Sequence, residues 1–348
     1  MPLIRKIINN KSKDIILNSF FYKIYTRIIL RRKIIRFSIE LTTFCNAKCS
    51  MCTRENLVKC NKLKVTNISD EILDKFYLLV KSFYQKSYQI TVAPMGLGEP
   101  FLYPDLYKFV SKIKKIGQDI KVVIVTNGIL FDNEIGKKII ESGIDEISVS
   151  LNAKNRNDYK KYMRVDSYFL VKKNISEFIK LRNKLKSNLP HLYVQYLDFK
   201  NNANKFNKEI NRWNRLMLAS DKCYVHPIVN QAGFKKGIKN NYKSNSYPCI
   251  SPLSRLVIKI NGDTYPCDAC LYNGLMKEKQ LFLGNILKDN LMYEFENKNG
   301  KSKQIFNKMR QKDYSNLSVC KRCNTYKLSP NCYFSLPFGL KIGKYKWY

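Results

Sequence analysis

The chain has 348 residues, which at about 150 residues per domain suggests about two domains and ample material for a buried core. Apolar residues make up 45% and aromatic residues 13%, and no uninterrupted apolar run approaches the roughly 18 residues of a membrane span. A disulfide-stapled miniprotein and a chain that crosses a membrane on helices are both excluded. The formal charge of +36 admits nucleic acid or an anionic surface as partner, yet the saturation in Lys, Ile, Asn and Tyr, residues with codons rich in A and T, supplies a compositional reading of the same charge.

The first 36 residues carry ten Lys or Arg against the single Asp14, so +9 of the charge sits there. Lys6, Lys11, Lys13 and Lys23 break the early apolar clusters and no small-residue cleavage site follows, so no signal peptide is legible and a cytoplasmic protein is expected. Within residues 1–35, Ile16, Phe20, Ile24 and Ile28, with Leu17 and Phe21 beside them, form one face of a basic amphipathic helix. Such a helix can pack on the next domain, or lie on an anionic bilayer and make the protein membrane-peripheral.

From Arg36 to Asn230, short β-branched runs alternate with helical patterns. The expected strands are Arg36 to Thr42, Tyr88 to Pro94, Lys121 to Thr126, Glu146 to Leu151, Leu192 to Leu197 and Cys223 to Ile228. A helix over Ser69 to Tyr84 opens on Ser-Asp-Glu and should bury Ile72, Phe76, Leu79 and Phe83. The alternation predicts an α/β fold with a parallel sheet, open or closed into a partial barrel, and a site at the carboxyl ends of its strands. After about Gln231 a Lys- and Asn-rich stretch runs to Ser246, and cysteines then dominate. The expected division is residues 1–35, 36–230 and 231–348.

Eleven cysteines are too many to be incidental, and a reducing compartment favours metal or redox chemistry over disulfides. Directly after the first strand stand Cys45, Cys49 and Cys52, spaced by three and then two residues. This fits neither a zinc site of two separated pairs nor a lone redox Cys-x-x-Cys. Three ligands on a cubane cluster leave one iron open for a cofactor.

The triad, with the bulky Met51 before its last cysteine, resembles that of the radical S-adenosylmethionine (radical SAM) superfamily. The resemblance implies a partial (β/α)6 barrel whose 4Fe-4S cluster chelates S-adenosylmethionine through its amino and carboxylate groups. Electron transfer then yields a 5′-deoxyadenosyl radical that abstracts hydrogen. Met95-Gly96-Leu97-Gly98-Glu99-Pro100, at the end of the second strand, is similar to the superfamily's Gly-Glu-Pro motif, which hydrogen-bonds the methionine amino group. By itself such a tripeptide is only a turn. Thr126-Asn127-Gly128 and Ser148-Val149-Ser150-Leu151-Asn152 end the third and fourth strands, where relatives contact methionine and ribose. Asn152 replaces the usual aspartate, which makes Ser150 the preferred contact. Tyr162-Met163-Arg164 resembles the stretch whose arginine pairs with the methionine carboxylate, although an ordinary surface arginine fits the pattern too. The implied cofactor contacts are thus Gly98, Glu99, Asn127, Ser150 and Arg164. Gln195, polar inside an apolar strand, faces either the lumen and substrate or a structural hydrogen bond.

In the second cysteine group, Cys249, Cys267, Cys320 and Cys323 supply four thiols. Asn261-Gly262 between β-rich runs predicts a hairpin that brings the first two together. This group, with Leu283-Gly284-Asn285-Ile286, resembles the SPASM/twitch extensions of radical SAM enzymes and implies one auxiliary 4Fe-4S cluster on a small domain of hairpin and helices. A full two-cluster domain needs more cysteines after Cys323, and only Cys332 follows. Cys270 and Cys332 are ambiguous as substitute ligands, Cys60 and Cys223 read as ordinary cysteines, and zinc on the four thiols stays open because tetrahedral sulfur sites serve both metals.

The resulting expectation is an enzyme that cleaves S-adenosylmethionine with electrons from a flavodoxin- or ferredoxin-type donor and oxidises or otherwise modifies a substrate carbon. Relatives act on small molecules such as aminocyclitol sugars, or on peptides and proteins, as in sulfatase maturation. Some 35 residues precede the core, short for a peptide-binding module, which favours a small molecule or a peptide delivered by another protein. The competing reading is a basic zinc protein on nucleic acid. Against it, His191 and His226 lie in expected strands, away from the cysteine pairs, and no Arg-rich recognition helix is legible.

Overall fold

The computed structural model describes residues 33–199, 203–227, 249–271 and 280–323. The amphipathic stretch up to residue 32, the Lys/Asn-rich stretch and Cys332 lie outside them. The β-branched runs form β1 (Ile34–Ile39), β2 (Gln89–Pro94), β3 (Lys121–Thr126), β4 (Glu146–Ser150), β5 (His191–Asp198) and β6 (Lys222–Pro227). Every adjacent pair from β1 to β6 is parallel, as helical crossovers require.

Helices Asp70–Gln85, Leu106–Ile116, Asn133–Glu141, Tyr168–Lys184 and Asn207–Asn214 make those crossovers. Ser69 caps the first, its hydroxyl accepting from the Ile72 amide at 3.4 Å. Phe37 of β1 meets Phe76 and Phe83 of that helix edge-on, ring centres 5.7 and 5.3 Å apart. The buried arc runs through Ile72, Leu73, Phe76, Val80 and Phe83. Leu79, expected inside, falls at the flank of that arc and is only half-buried.

The sheet continues past β1. Among the described residues its order is β6-β5-β4-β3-β2-β1-β7-β8-β9, with β7 (Arg255–Ile258), β8 (Asp263–Tyr265) and β9 (Gly284–Asn285) bringing the sheet to nine strands. Asn261-Gly262 turns the expected hairpin, with Gly262 at φ +83°, where a side chain would be strained. The hairpin is not a separate layer: β7 pairs in parallel with β1, satisfying backbone groups that an edge strand would leave open. The sheet is unclosed among the described residues.

One ion pair fastens the far side. Arg182 reaches both oxygens of Asp221 at 2.9 and 2.5 Å, and neither side chain is exposed. Asp221 also accepts the amides of Leu192 and Leu218, so helix Tyr168–Lys184 is tied to the starts of β5 and β6. Removing one partner of such a pair costs about 3–5 kcal/mol. No helix among the described residues is long and apolar enough to cross a membrane.

Candidate functional site

The loop after β1 carries the first three thiols. Its course is set by Arg54, a buried guanidinium whose Nε donates to the Thr43 carbonyl at 2.6 Å, and by the Thr43 hydroxyl, which bonds to the Lys64 and Thr66 carbonyls. The Cys52 amide donates to the Cys49 carbonyl at 3.0 Å, so the loop turns back on itself. Cys45, Cys49 and Cys52 feel one another electrostatically. Burial pushes the Cys45 thiol up to about 11 and that of Cys49 to about 12.

From the other side the loop is clasped by helix Arg156–Met163. The amides of Lys48 and Ser50 donate to the Met163 and Tyr162 carbonyls at 3.3 and 2.7 Å, and Cys49 Sγ lies 3.6 Å from Met163 Sδ. Arg164 caps this helix in the left-handed region at φ +55°, with its side chain exposed.

At the end of β2, Gly98 sits where a Cβ would come within 2.1 Å of the Thr42 carbonyl oxygen. The close approach lets the Glu99 amide bond to the Phe44 carbonyl at 2.8 Å and locks the turn to the cysteine loop. Glu99 is buried and its carboxylate is fully engaged: Thr126 Oγ1 donates to Oε1 at 2.6 Å and the Asn127 amide to Oε2 at 2.8 Å. Asn127 Nδ2 donates to Asn46 Oδ1 at 2.7 Å. Thus Gly98, Glu99 and Asn127 are joined directly to the loop that holds the thiols.

On β4 to β6, Ile147, Val149, Leu192, Val194, Tyr196 and Cys223 are buried beneath the helices. The alternate residues share the opposite, inner face. Ser150, Gln195 and Tyr224 stand in one row across three strands, with His226 one step further along β6. Ser148 Oγ lies 3.4 Å from Tyr224 Oη, and the His226 ring meets that of Tyr224 edge-on at 4.8 Å. Burial holds the His226 imidazole down at about 4, neutral at physiological pH. Asn152, just beyond β4, has φ +57°, bonds through Nδ2 to Met163 Sδ, and leaves its buried Oδ1 without a hydrogen-bond partner. An orphaned buried acceptor calls for a donor from elsewhere.

The second group of thiols converges independently. Cys249, Cys267, Cys320 and Cys323 line one cavity, closed by Pro252, Leu281 and other apolar neighbours. Cys270 is buried beside it without lining it. Burial raises the thiols of Cys249, Cys267 and Cys320, that of Cys267 to about 12. Among the described residues no three His, Cys, Asp or Glu side chains meet at a single-ion position. The four thiols line one cavity, a donor set that suits an iron-sulfur cluster.

Residues 39–199 match the family model of the radical SAM superfamily, and residues 249–324 match that of the SPASM iron-sulfur cluster-binding domain. The chain belongs to the radical SAM superfamily. Curated relatives include probable GTP 3′,8-cyclases of Saccharolobus islandicus (strain Y.N.15.51 / Yellowstone #2), 32% identical over 141 residues, and of Methanococcus maripaludis (strain C5), 30% identical over 151 residues. These matches cover 40% and 43% of this chain, which spans only 42% and 47% of the relatives' lengths. Among solved structures, BtrN in complex with AdoMet and 2-DOIA is similar at TM-score 0.56 and 16% identity, over 84% of this chain and 93% of that one. Native anSMEcpe with bound AdoMet gives 0.57 and 18%, over 83% and 90%. These likenesses establish the fold.

A radical SAM enzyme uses a 4Fe-4S cluster with S-adenosylmethionine, and a SPASM domain adds an auxiliary cluster. The all-thiol donor sets and the orphaned Asn152 Oδ1 fit these groups. Sequence reasoning gave no role to Asn46 or Arg54, and it named Met163 only as part of the Tyr162-Met163-Arg164 stretch, whereas the fold sets all three against the cysteine loop.

Burial raises the Glu99 carboxyl to about 7 from its ordinary 4.5, against the opposing bonds from Asn127, Thr126 and Phe101. The folded chain therefore holds this proton more tightly than the unfolded one. Its contribution to stability is full below about pH 4.5 and is lost as pH rises through about 7. Glu99→Gln should gain on wild type by about 1.4 kcal/mol per pH unit between about pH 5 and 7 in urea unfolding of cluster-free protein, then level off. A difference independent of pH would show the carboxyl ionised throughout.

Proposed function

We propose that this radical SAM enzyme abstracts a hydrogen atom from a carbon of a small hydroxylated molecule such as a sugar and oxidises it, the resulting substrate radical losing its hydroxyl proton to solvent and an electron to the auxiliary cluster. The observation that carries the reading is the inner face that bears Ser148, Ser150, Gln195, Tyr224 and His226, neutral hydrogen-bonding groups interleaved with aromatic faces. Hydroxyls bond to such groups, and ring C–H faces stack on the aromatics. BtrN, solved with 2-DOIA, shares the fold and lends support by analogy.

In this reading Cys45, Cys49 and Cys52 hold the first cluster, and Cys249, Cys267, Cys320 and Cys323 the auxiliary one. Gly98 and Glu99 shape the turn that receives the methionine amino group, Asn127 ties that turn to the cysteine loop, and Ser150 with Asn152 offers acceptors to the ribose. Arg164, exposed at the end of the clasping helix, would pair with the methionine carboxylate. When bound, the first cluster supplies the electron that cleaves S-adenosylmethionine. The protein's part is to orient cofactor and substrate and to keep water out. Four protein thiols leave the auxiliary cluster no open iron, which suits electron acceptance rather than substrate ligation.

The test is an anaerobic assay of reconstituted enzyme with S-adenosylmethionine and a low-potential flavodoxin or ferredoxin, offered aminocyclitols and sugars, GTP, and peptides in parallel. Stimulation of 5′-deoxyadenosine formation at least about tenfold by a hydroxylated ring, with a product lighter by two hydrogens, is expected. Stimulation by GTP alone or by peptides alone would replace this substrate assignment.

A further inference from the structure

Strand β1 and the residue that directly follows it carry two fully buried polar side chains on the inner face, Ser38 and Glu40. Burying them is costly unless they are bonded, and their partners lie on opposite sides of the strand. Glu40 Oε1 accepts the Leu97 amide at 2.9 Å, inside the turn that leads to Gly98 and Glu99. Glu40 Oε2 accepts the Ile260 amide at 3.2 Å, at the turn of the β7–β8 hairpin. The main chain repeats the arrangement: the Met95 amide donates to the Ile39 carbonyl and the Glu40 amide to the Ile258 carbonyl, each at 2.9 Å. Gly96 leaves room for the carboxylate, since a Cβ there would come 2.6 Å from Oε1 and 2.9 Å from the Glu40 Cβ.

Ser38 makes the second tie. Its hydroxyl donates to Asp268 Oδ1 at 2.8 Å. Asp268 directly follows Cys267 and is ion-paired with the buried Arg255 of β7. The carboxyl end of β1 thus holds the turn beside the first three thiols through Glu40 and the segment bearing one of the second four through Ser38.

We propose that Ser38 and Glu40 are positioning residues that couple the two sites, so that binding of S-adenosylmethionine shifts the reduction potential of the auxiliary cluster. The inference rests on the assignment of the two thiol sets and of the Gly98-Glu99 turn given above. Each oxygen of the Glu40 carboxylate is bonded to a main-chain N–H, and both amides belong to short turns. A shift of the Leu97 turn must therefore either draw the Ile260 turn with it or leave a buried carboxylate oxygen unpaired. The coupling is reciprocal: the oxidation state of the auxiliary cluster changes affinity for S-adenosylmethionine by the same factor.

The experiment is an EPR-monitored redox titration of the full chain with both clusters, with and without S-adenosylmethionine at a level that saturates the change in the first cluster's signal. In wild type the cofactor should move the auxiliary midpoint by about 59 mV, the one-electron equivalent of tenfold coupling. Glu40→Gln, whose amide nitrogen cannot accept a backbone N–H, should cut that displacement by more than half while iron content stays unchanged. Ser38→Ala should do the same from the auxiliary side, and serves alone if Glu40→Gln does not fold. No displacement in wild type, or the full displacement in the variants that fold, overturns the coupling. Absence of any cofactor-dependent change in the first cluster of wild type overturns the underlying site assignment instead.

Discussion

Replacement of Cys45, Cys49 and Cys52 by Ala is expected to abolish 5′-deoxyadenosine formation and to lower reconstituted iron from about eight to about four per chain. The three thiols occupy one loop pinned by Arg54 below and by helix Arg156–Met163 above, and among the described residues no other cysteine is placed to substitute. Cys60 is exposed beyond helix Arg54–Lys59, and Cys223 is buried on the helical side of β6. On the proposed assignment the remaining four irons would sit in the cavity lined by Cys249, Cys267, Cys320 and Cys323, which lies on other elements. Iron and sulfide analysis with a cleavage assay under a low-potential reductant checks both halves. Persistent cleavage would sink the assignment of the first cluster, and loss of all iron would show that the two sites assemble together.

Gly98→Ala is expected to weaken binding of S-adenosylmethionine by roughly 10- to 100-fold, the equivalent of about 1.4–2.8 kcal/mol. The atoms in the way are backbone. A Cβ at this position would lie 2.1 Å from the Thr42 carbonyl oxygen and 2.9 Å from that of Phe44, and the latter already accepts the Glu99 amide. Neither carbonyl can swing aside as a flexible side chain would, so the turn must back away from the cysteine loop, with Glu99 and its bonds to Thr126 and Asn127. Gly136→Ala is the control, because a Cβ there meets only the side-chain ends of Leu181 and Phe178 at 3.3 Å. Anaerobic calorimetric titration reads the affinity. A Gly98→Ala enzyme that binds like wild type would show that the turn does not seat the cofactor.

The strands were readable because their signal is local. Lys121–Thr126 falls where β-branched residues crowd, and the remaining core strands are displaced by at most a few residues at their ends, where hydrogen bonding rather than composition sets the limit. The cysteine spacing was readable for the same reason: eight consecutive residues hold the entire triad. Asn152 illustrates the opposite case. The fold gives it a left-handed backbone just after β4 and buries its Oδ1 without a partner, an arrangement that no local pattern announces.

The sequence by itself determined the order of strands and helices, the two groups of thiols and the kinship with radical SAM enzymes, since each is written in residues near one another along the chain. Tertiary structure decided that the second group is built onto the core sheet. The pairing of β1 with β7 joins residues more than 200 positions apart, as do the bonds from Ser38 to Asp268 and from Glu40 to the turn after β7. No periodicity or spacing encodes such contacts. They follow from an exposed strand edge that must be paired and from buried polar groups that must be satisfied, conditions that exist only once the sheet has formed.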